Sequence, residues 1–217
     1  AAKAQGLLSR TPFRETIFKY WRETLIAIIA YINVCAPFYT TTVYIKSYMI
    51  NLGYPQHQES IVCGLILLVM TIALPISAHI SDKIGRKPVI VWSSIALIIS
   101  IYPIFLALHT MNYTLAILSQ MLFAAIVGFY MGPVPTLLVE LFPTRVRFTG
   151  VAISYNLSVA IFGGTVPVIG AMLHKFTGEQ ISFAYYLTAL SILCFCGLYF
   201  YKETYKYNLA EDIIHEE

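Results

Sequence analysis

Charge is what this sequence has least of. Of its 217 residues, 14 are Lys or Arg and 11 are Asp or Glu, 12% in all, against 58% hydrophobic. An ordinary globular domain carries about 25% charged residues. With half that share, a chain cannot cover its own surface with polar groups, which excludes a soluble enzyme, a nucleic-acid binder and a disordered tail. A mean hydropathy of +0.72 points the same way. The chain is expected to live in a lipid bilayer and to have no nucleic-acid partner.

Other absences narrow the class. Cys35, Cys63, Cys194 and Cys196 have neither disulfide-framework nor metal-site spacing. Cys194 and Cys196 sit about 200° apart round a helix and cannot hold one ion together. No H-E-x-x-H, no G-x-S-x-G and no paired carboxylates at membrane depth are present, so no enzyme, metal or cofactor is expected. An N-P-A pair or G-Y-G filter would mark a channel, and three P-x-D/E-x-x-K/R repeats a mitochondrial-type carrier; neither occurs.

What is present is a set of long uncharged windows, at 24–45, 60–78, 88–108, 110–139, 148–173 and 180–201. A helix needs about 20 apolar residues to cross a bilayer core. The windows lack the alternation of barrel strands, and lipid demands internal satisfaction of every backbone group. Six transmembrane helices are therefore predicted, the fourth at 112–138, in an all-α membrane protein. Residues 1–23 lead in and 202–217 form a tail. The start, AAKAQGLLSR, has no initiator Met and reads as cut from a longer chain.

Six spans put both termini on one side. That side holds Lys3, Arg10, Arg14, Lys19, Arg22, Lys83, Arg86, Lys87, Arg145, Arg147, Lys202 and Lys206; the other holds only Lys46 and Lys175. The positive-inside rule makes the termini cytoplasmic. Residues 11–23, TPFRETIFKYWRE, are expected to form an amphipathic helix on the inner membrane surface, with Thr11 as cap and Pro12 in its first turn.

Two loops carry motifs. After span two comes Ser81-Asp82-Lys83-Ile84-Gly85-Arg86-Lys87. Gly85 permits a tight backbone turn, and Asp82 and Arg86, four apart, can pair if the stretch is helical. After span four comes Glu140-Leu141-Phe142-Pro143-Thr144-Arg145. Pro143 forces a turned backbone, and across that turn Glu140 and Arg145 are expected to pair, either as a gate that breaks in one state or as a static bridge. Gly128, Gly132, Pro133 and Pro135 in span four, and Gly163, Gly164, Pro167 and Gly170 in span five, serve helix packing or mobile hinges.

The first loop resembles the signature G-x-L-S/A-D-x-x-G-R-K/R of the major facilitator superfamily, matching at Ser81, Asp82, Gly85, Arg86 and Lys87 and departing at Ala78 and Ile80. The run E-L-F-P-T-x-V-R-x-T-G…YN…FGG-x-x-P is similar to the tenth-to-eleventh helix region of its metabolite:proton symporter branch, which includes proline/betaine, 2-oxoglutarate, citrate and shikimate carriers. The resemblance implies helices seven to twelve of a twelve-helix transporter of a bacterial inner membrane, working by alternating access. It also implies a missing N-terminal six-helix half as partner. The solute would be an osmolyte zwitterion or an organic acid, moved with H⁺; the alternative is a non-transporting six-helix scaffold.

In the resembled fold, the first and fourth helices of each half line the cavity. That makes Tyr31, Asn33 and Tyr39 of span one, and Phe123 and Tyr130 of span four, candidate solute contacts, with Asn156 of span five. Aromatic faces suit a quaternary ammonium by cation–π attraction, and ordinary packing is the alternative. No Asp, Glu, Lys or Arg lies in the interior of a span, so a proton-coupling group is expected in the missing half.

Overall fold

The computed structural model describes residues 11–55 and 59–201, and all its regular structure is helical. Residues 1–10 and the tail 202–217, with its basic residues Lys202 and Lys206, lie outside the described residues. The helices are α1 (Pro12–Phe18), α2 (Trp21–Tyr39), α3 (Ile45–Leu52), α4 (Glu59–Ile84), α5 (Arg86–His109), α6 (Tyr113–Met131), α7 (Val134–Leu141), α8 (Arg147–Ser158), α9 (Val166–Thr177) and α10 (Ser182–Gly197). Together they make six helices long and apolar enough to cross a membrane: Trp21–Leu52, Val62–Ile84, Arg86–His109, Tyr113–Leu141, Arg147–Thr177 and Ser182–Phe200.

The amphipathic segment is shorter than expected. It stops at Phe18, and α2 begins afresh at Trp21. Pro12 occupies the first turn of α1, but the Thr11 side chain makes no capping hydrogen bond. Thr16 instead donates to Pro12 O at 2.8 Å. Phe13 and Phe18 are exposed, so α1 offers aromatic surface beside Arg14 and Lys19.

Two of the six spans are broken by a π-helical turn, Thr40–Tyr44 in the first and Val159–Gly163 in the fifth. The first follows Pro37, which lacks an N–H and so leaves a carbonyl one turn back without its helical donor. Thr40, Thr41 and Thr42 then donate to Ala36 O, Pro37 O and Phe38 O at 2.7–2.8 Å. Such back-bonding bends a helix, and the three threonines ease the ladder into the wider turn. In the fifth span Ser158 donates to Ser154 O at 2.8 Å and also to Ile28 O at 3.1 Å, tying the break to α2.

α4 packs along α6, α6 along α5, α10 against α5 and α2, and α2 against α8. Glycine makes the closest of these contacts. A Cβ at Gly128 would lie 2.8 Å from that of Ala73, and one at Gly132 would overlap the Ser77 hydroxyl. These two glycines, four apart, therefore serve helix packing between α4 and α6. The core between α2, α5, α6 and α10 is filled by Leu97, Phe105, Phe123, Tyr130, Phe183 and Leu187.

Candidate functional site

At the basic end of the bundle, α4 stops at Ile84 and α5 starts at Arg86, with Gly85 alone between them at φ 106° and ψ 159°. That φ favours a residue without a Cβ. The chain turns a corner there, so Asp82 and Arg86 do not share a helix as their spacing suggested. They meet across the corner instead, Arg86 Nη1 to Asp82 Oδ1 at 2.6 Å. Ser81, buried beside them, donates to Ala78 O at 2.8 Å. Lys87 donates to Tyr201 O at 2.5 Å, fastening the last described residue to the same corner.

The second loop departs from expectation. Glu140 does not pair with Arg145. Phe142 is extended before Pro143, the conformation a following proline favours, and the turn carries Arg145 away from α7. Arg145 Nη2 reaches Glu15 Oε2 of α1 at 3.2 Å, while Glu140 Oε1 faces Arg86 Nη2 at 3.5 Å. Arg147 donates from Nε to Phe142 O at 3.0 Å, closing the turn. The result is one cluster joining α4, α5 and α7, and a separate strut from α1 to the start of α8.

The two halves of the cluster differ in energy. The Asp82 side chain is 62% exposed, and such a pair contributes at most about 1 kcal/mol. Both the Arg86 and the Glu140 side chains are only 11% exposed. Removing one partner of so buried a pair costs about 3–5 kcal/mol.

The candidate solute contacts split in two. Tyr31 and Tyr39 are partly exposed and Asn156 is exposed. The Tyr31 ring meets Tyr155 edge-on at 5.0 Å, linking α2 to α8. Asn156 donates to Ala152 O at 2.8 Å. Tyr39 lies over Gly163, where a Cβ would be 2.9 Å from its ring. These residues form a tyrosine-rich face of α2 and α8.

Phe123 and Tyr130 are not on that face. Both are fully buried, and the Tyr130 hydroxyl donates to Ala30 O at 2.8 Å. They are core residues in this conformation, out of reach of any solute. Asn33 is buried at 1% exposure, and neither end of its amide has a hydrogen-bond partner among the described residues. An unsatisfied buried amide costs about 1–3 kcal/mol.

Sequence reasoning missed Tyr155 as part of the tyrosine-rich face and Glu15 as the partner of Arg145. Tyr155 stands beside Asn156, one residue past Ser154 in the buried row Gly150, Ser154 and Ser158, and that offset of about 100° round the helix could have placed it off the buried side. Nothing in the sequence links Glu15 to Arg145, 130 residues away. Among the described residues no group of three or more His, Cys, Asp or Glu side chains is placed to hold a metal ion.

The Major Facilitator Superfamily profile matches residues 2–164. The chain is 35% identical over 188 residues to the ectoine/proline transporter ProP of Corynebacterium glutamicum, covering 85% of this chain and 37% of that protein. It is 29% identical over 193 residues to the glycine betaine/proline/ectoine/pipecolic acid transporter OusA of Dickeya dadantii, covering 88% and 38%. Identity to the proline/betaine transporter of Escherichia coli K12 is 28% over 185 residues, covering 85% and 37%. The matched part thus spans little more than a third of each of these relatives. No solved structure matches the chain.

Proposed function

Because this chain belongs to the Major Facilitator Superfamily, a family of transporters rather than enzymes, we propose that it is the C-terminal half of a proton-coupled osmolyte symporter. It would supply helices seven to twelve and carry a small zwitterion of the proline/betaine kind. The observation that carries this reading is the similarity, over 85% of the chain, to a transporter of ectoine and proline. The tyrosine-rich face of α2 and α8 suits that solute, since aromatic rings attract a substituted ammonium. A dicarboxylate or tricarboxylate would call for fixed cations, and the six windows 24–45, 60–78, 88–108, 110–139, 148–173 and 180–201 hold no Lys or Arg.

In this proposal the termini and the Arg86 cluster face the cytoplasm, where basic residues collect. The N-terminal six-helix half, with the proton-titrating group, covers the face of α2 and α8. Alternating access is then a rocking of one half against the other. Arg86, Asp82 and Glu140 form a latch made in one state and loosened in the other, so its strength biases the equilibrium between them. Ser81, Gly85 and Lys87 shape the latch, and Pro143 aims Arg145 at the α1 strut. Tyr31, Tyr39, Tyr155 and Asn156 line the solute path, and Asn33 is the polar group a rearranged state would turn toward it.

The test is uptake of radiolabelled proline and glycine betaine into cells co-expressing this chain with the N-terminal half of a relative. Uptake is expected from the pair and not from the chain alone. Uptake by the chain alone in sealed vesicles, or 2-oxoglutarate or citrate as the only solute moved by the pair, overturns the reading.

A further inference from the structure

A second polar site lies at the end of the bundle opposite the Arg86 cluster, in a cavity of about 320 Å³ between α3 and α9. Binding pockets for small molecules start at roughly this size. Its floor is Tyr44, the last residue of the first π turn, whose ring lies tilted against Phe183 with centroids 4.1 Å apart. That ring also lies against Gly170, where a Cβ would sit 2.6 Å from Tyr44 Cζ. A side chain at 170 would push the ring out and fill the space. Ser47 and Asn51, four apart on α3, line one wall, and His174 in the last turn of α9 lines the other. Gln180, just before α10, completes the lining, and its Oε1 is buried without a hydrogen-bond partner.

This lining contains no Asp, Glu, Lys or Arg. A solute with net charge would lose hydration there without a fixed counter-charge, whereas a zwitterion is neutral overall. The Ser47 hydroxyl, the Asn51 amide and a His174 N–H can donate to a carboxylate. The orphaned Gln180 oxygen needs a donor, and the N–H of an ammonium supplies one. From this arrangement we infer that the cavity is a separate capture site for a small amino- or imino-acid zwitterion that keeps an N–H on its nitrogen. A fully methylated ammonium leaves the Gln180 oxygen unpaired and binds roughly tenfold more weakly. The inference rests on the reading that the solute is a small zwitterion, but the site is distinct from the face of α2 and α8.

The test needs no transport. Ser47→Cys, at an exposed position, is labelled with a membrane-impermeant maleimide on the chain in lipid nanodiscs, and modification at residue 47 is read by mass spectrometry. L-Proline at three times its dissociation constant is expected to slow labelling to about one quarter, by simple occupancy. Glycine betaine at the same concentration slows it less. Adding Gln180→Leu or, separately, Asn51→Ala removes the protection, each variant's labelling rate with solute being compared with its own rate without it. Unaltered labelling in the presence of L-proline overturns the site, as does full protection in both added variants. Equal protection by glycine betaine overturns the N–H selectivity. Uptake by the paired halves is measured apart from this, so loss of one reading is not mistaken for loss of the other.

Discussion

At the basic end of the bundle, the Arg86 guanidinium holds two carboxylates, Asp82 at 2.6 Å and Glu140 at 3.5 Å, while the opposite end builds a cavity from Tyr44, Ser47, Asn51, His174 and Gln180 with no Asp, Glu, Lys or Arg. Charges held close in a partly dry setting interact strongly and break in an all-or-none manner, which suits a latch between states. Neutral dipoles interact weakly with each other and well with a zwitterion, which suits a solute. The division predicts where substitutions act: at the charged end on stability and turnover, on the tyrosine-rich face and in the cavity on affinity.

The largest effect is expected at Glu140. Glu140→Ala strands the buried Arg86 guanidinium from one partner and should lower stability by about 3–5 kcal/mol, read from chemical denaturation in detergent. A loss below about 1 kcal/mol would mean that Arg86 is solvated and that the charged end holds no more tightly than the neutral one. A smaller effect of opposite sign is expected at Asn33, which belongs to neither end. Asn33→Leu removes an unsatisfied buried amide and should stabilise the chain by about 1–3 kcal/mol while lowering uptake by the paired halves. The smallest is at the strut. Glu15 and Arg145 are 24% and 33% exposed, so Glu15→Gln should cost less than about 1 kcal/mol, and that cost should vanish in high salt.

Much of the scaffold is legible in the chain, because lipid imposes one simple demand, an uncharged stretch about 20 residues long. The six spans follow from that demand and the corner at Gly85 from its missing Cβ. The π turns are not legible. Thr40, Thr41 and Thr42 show polarity in span one, but only the structure shows their hydroxyls on carbonyls one turn back. The inward and outward faces are equally hidden. In water an amphipathic stripe marks the buried side, whereas in lipid both sides are apolar, and so buried Phe123 and Tyr130 read the same as surface Tyr155. Proximity in sequence also misleads at the second loop. Glu140 and Arg145 are five residues apart, yet Pro143 sends them to partners on different helices.

The division of labour between the charged end and the tyrosine-rich face can be tested in one comparison of uptake kinetics. Asp82→Asn and Tyr31→Ala are each introduced into this chain and paired with the N-terminal half of a relative, and initial rates are followed against proline concentration. Asp82→Asn is expected to lower kcat with KM little changed, since in the proposed mechanism the exposed Asp82 carboxylate belongs to the latch and touches no solute. Tyr31→Ala is expected to raise KM by roughly tenfold, the loss of one aromatic contact to an ammonium, with kcat little changed. The reverse pattern, with Asp82→Asn raising KM and Tyr31→Ala lowering only kcat, would contradict the account.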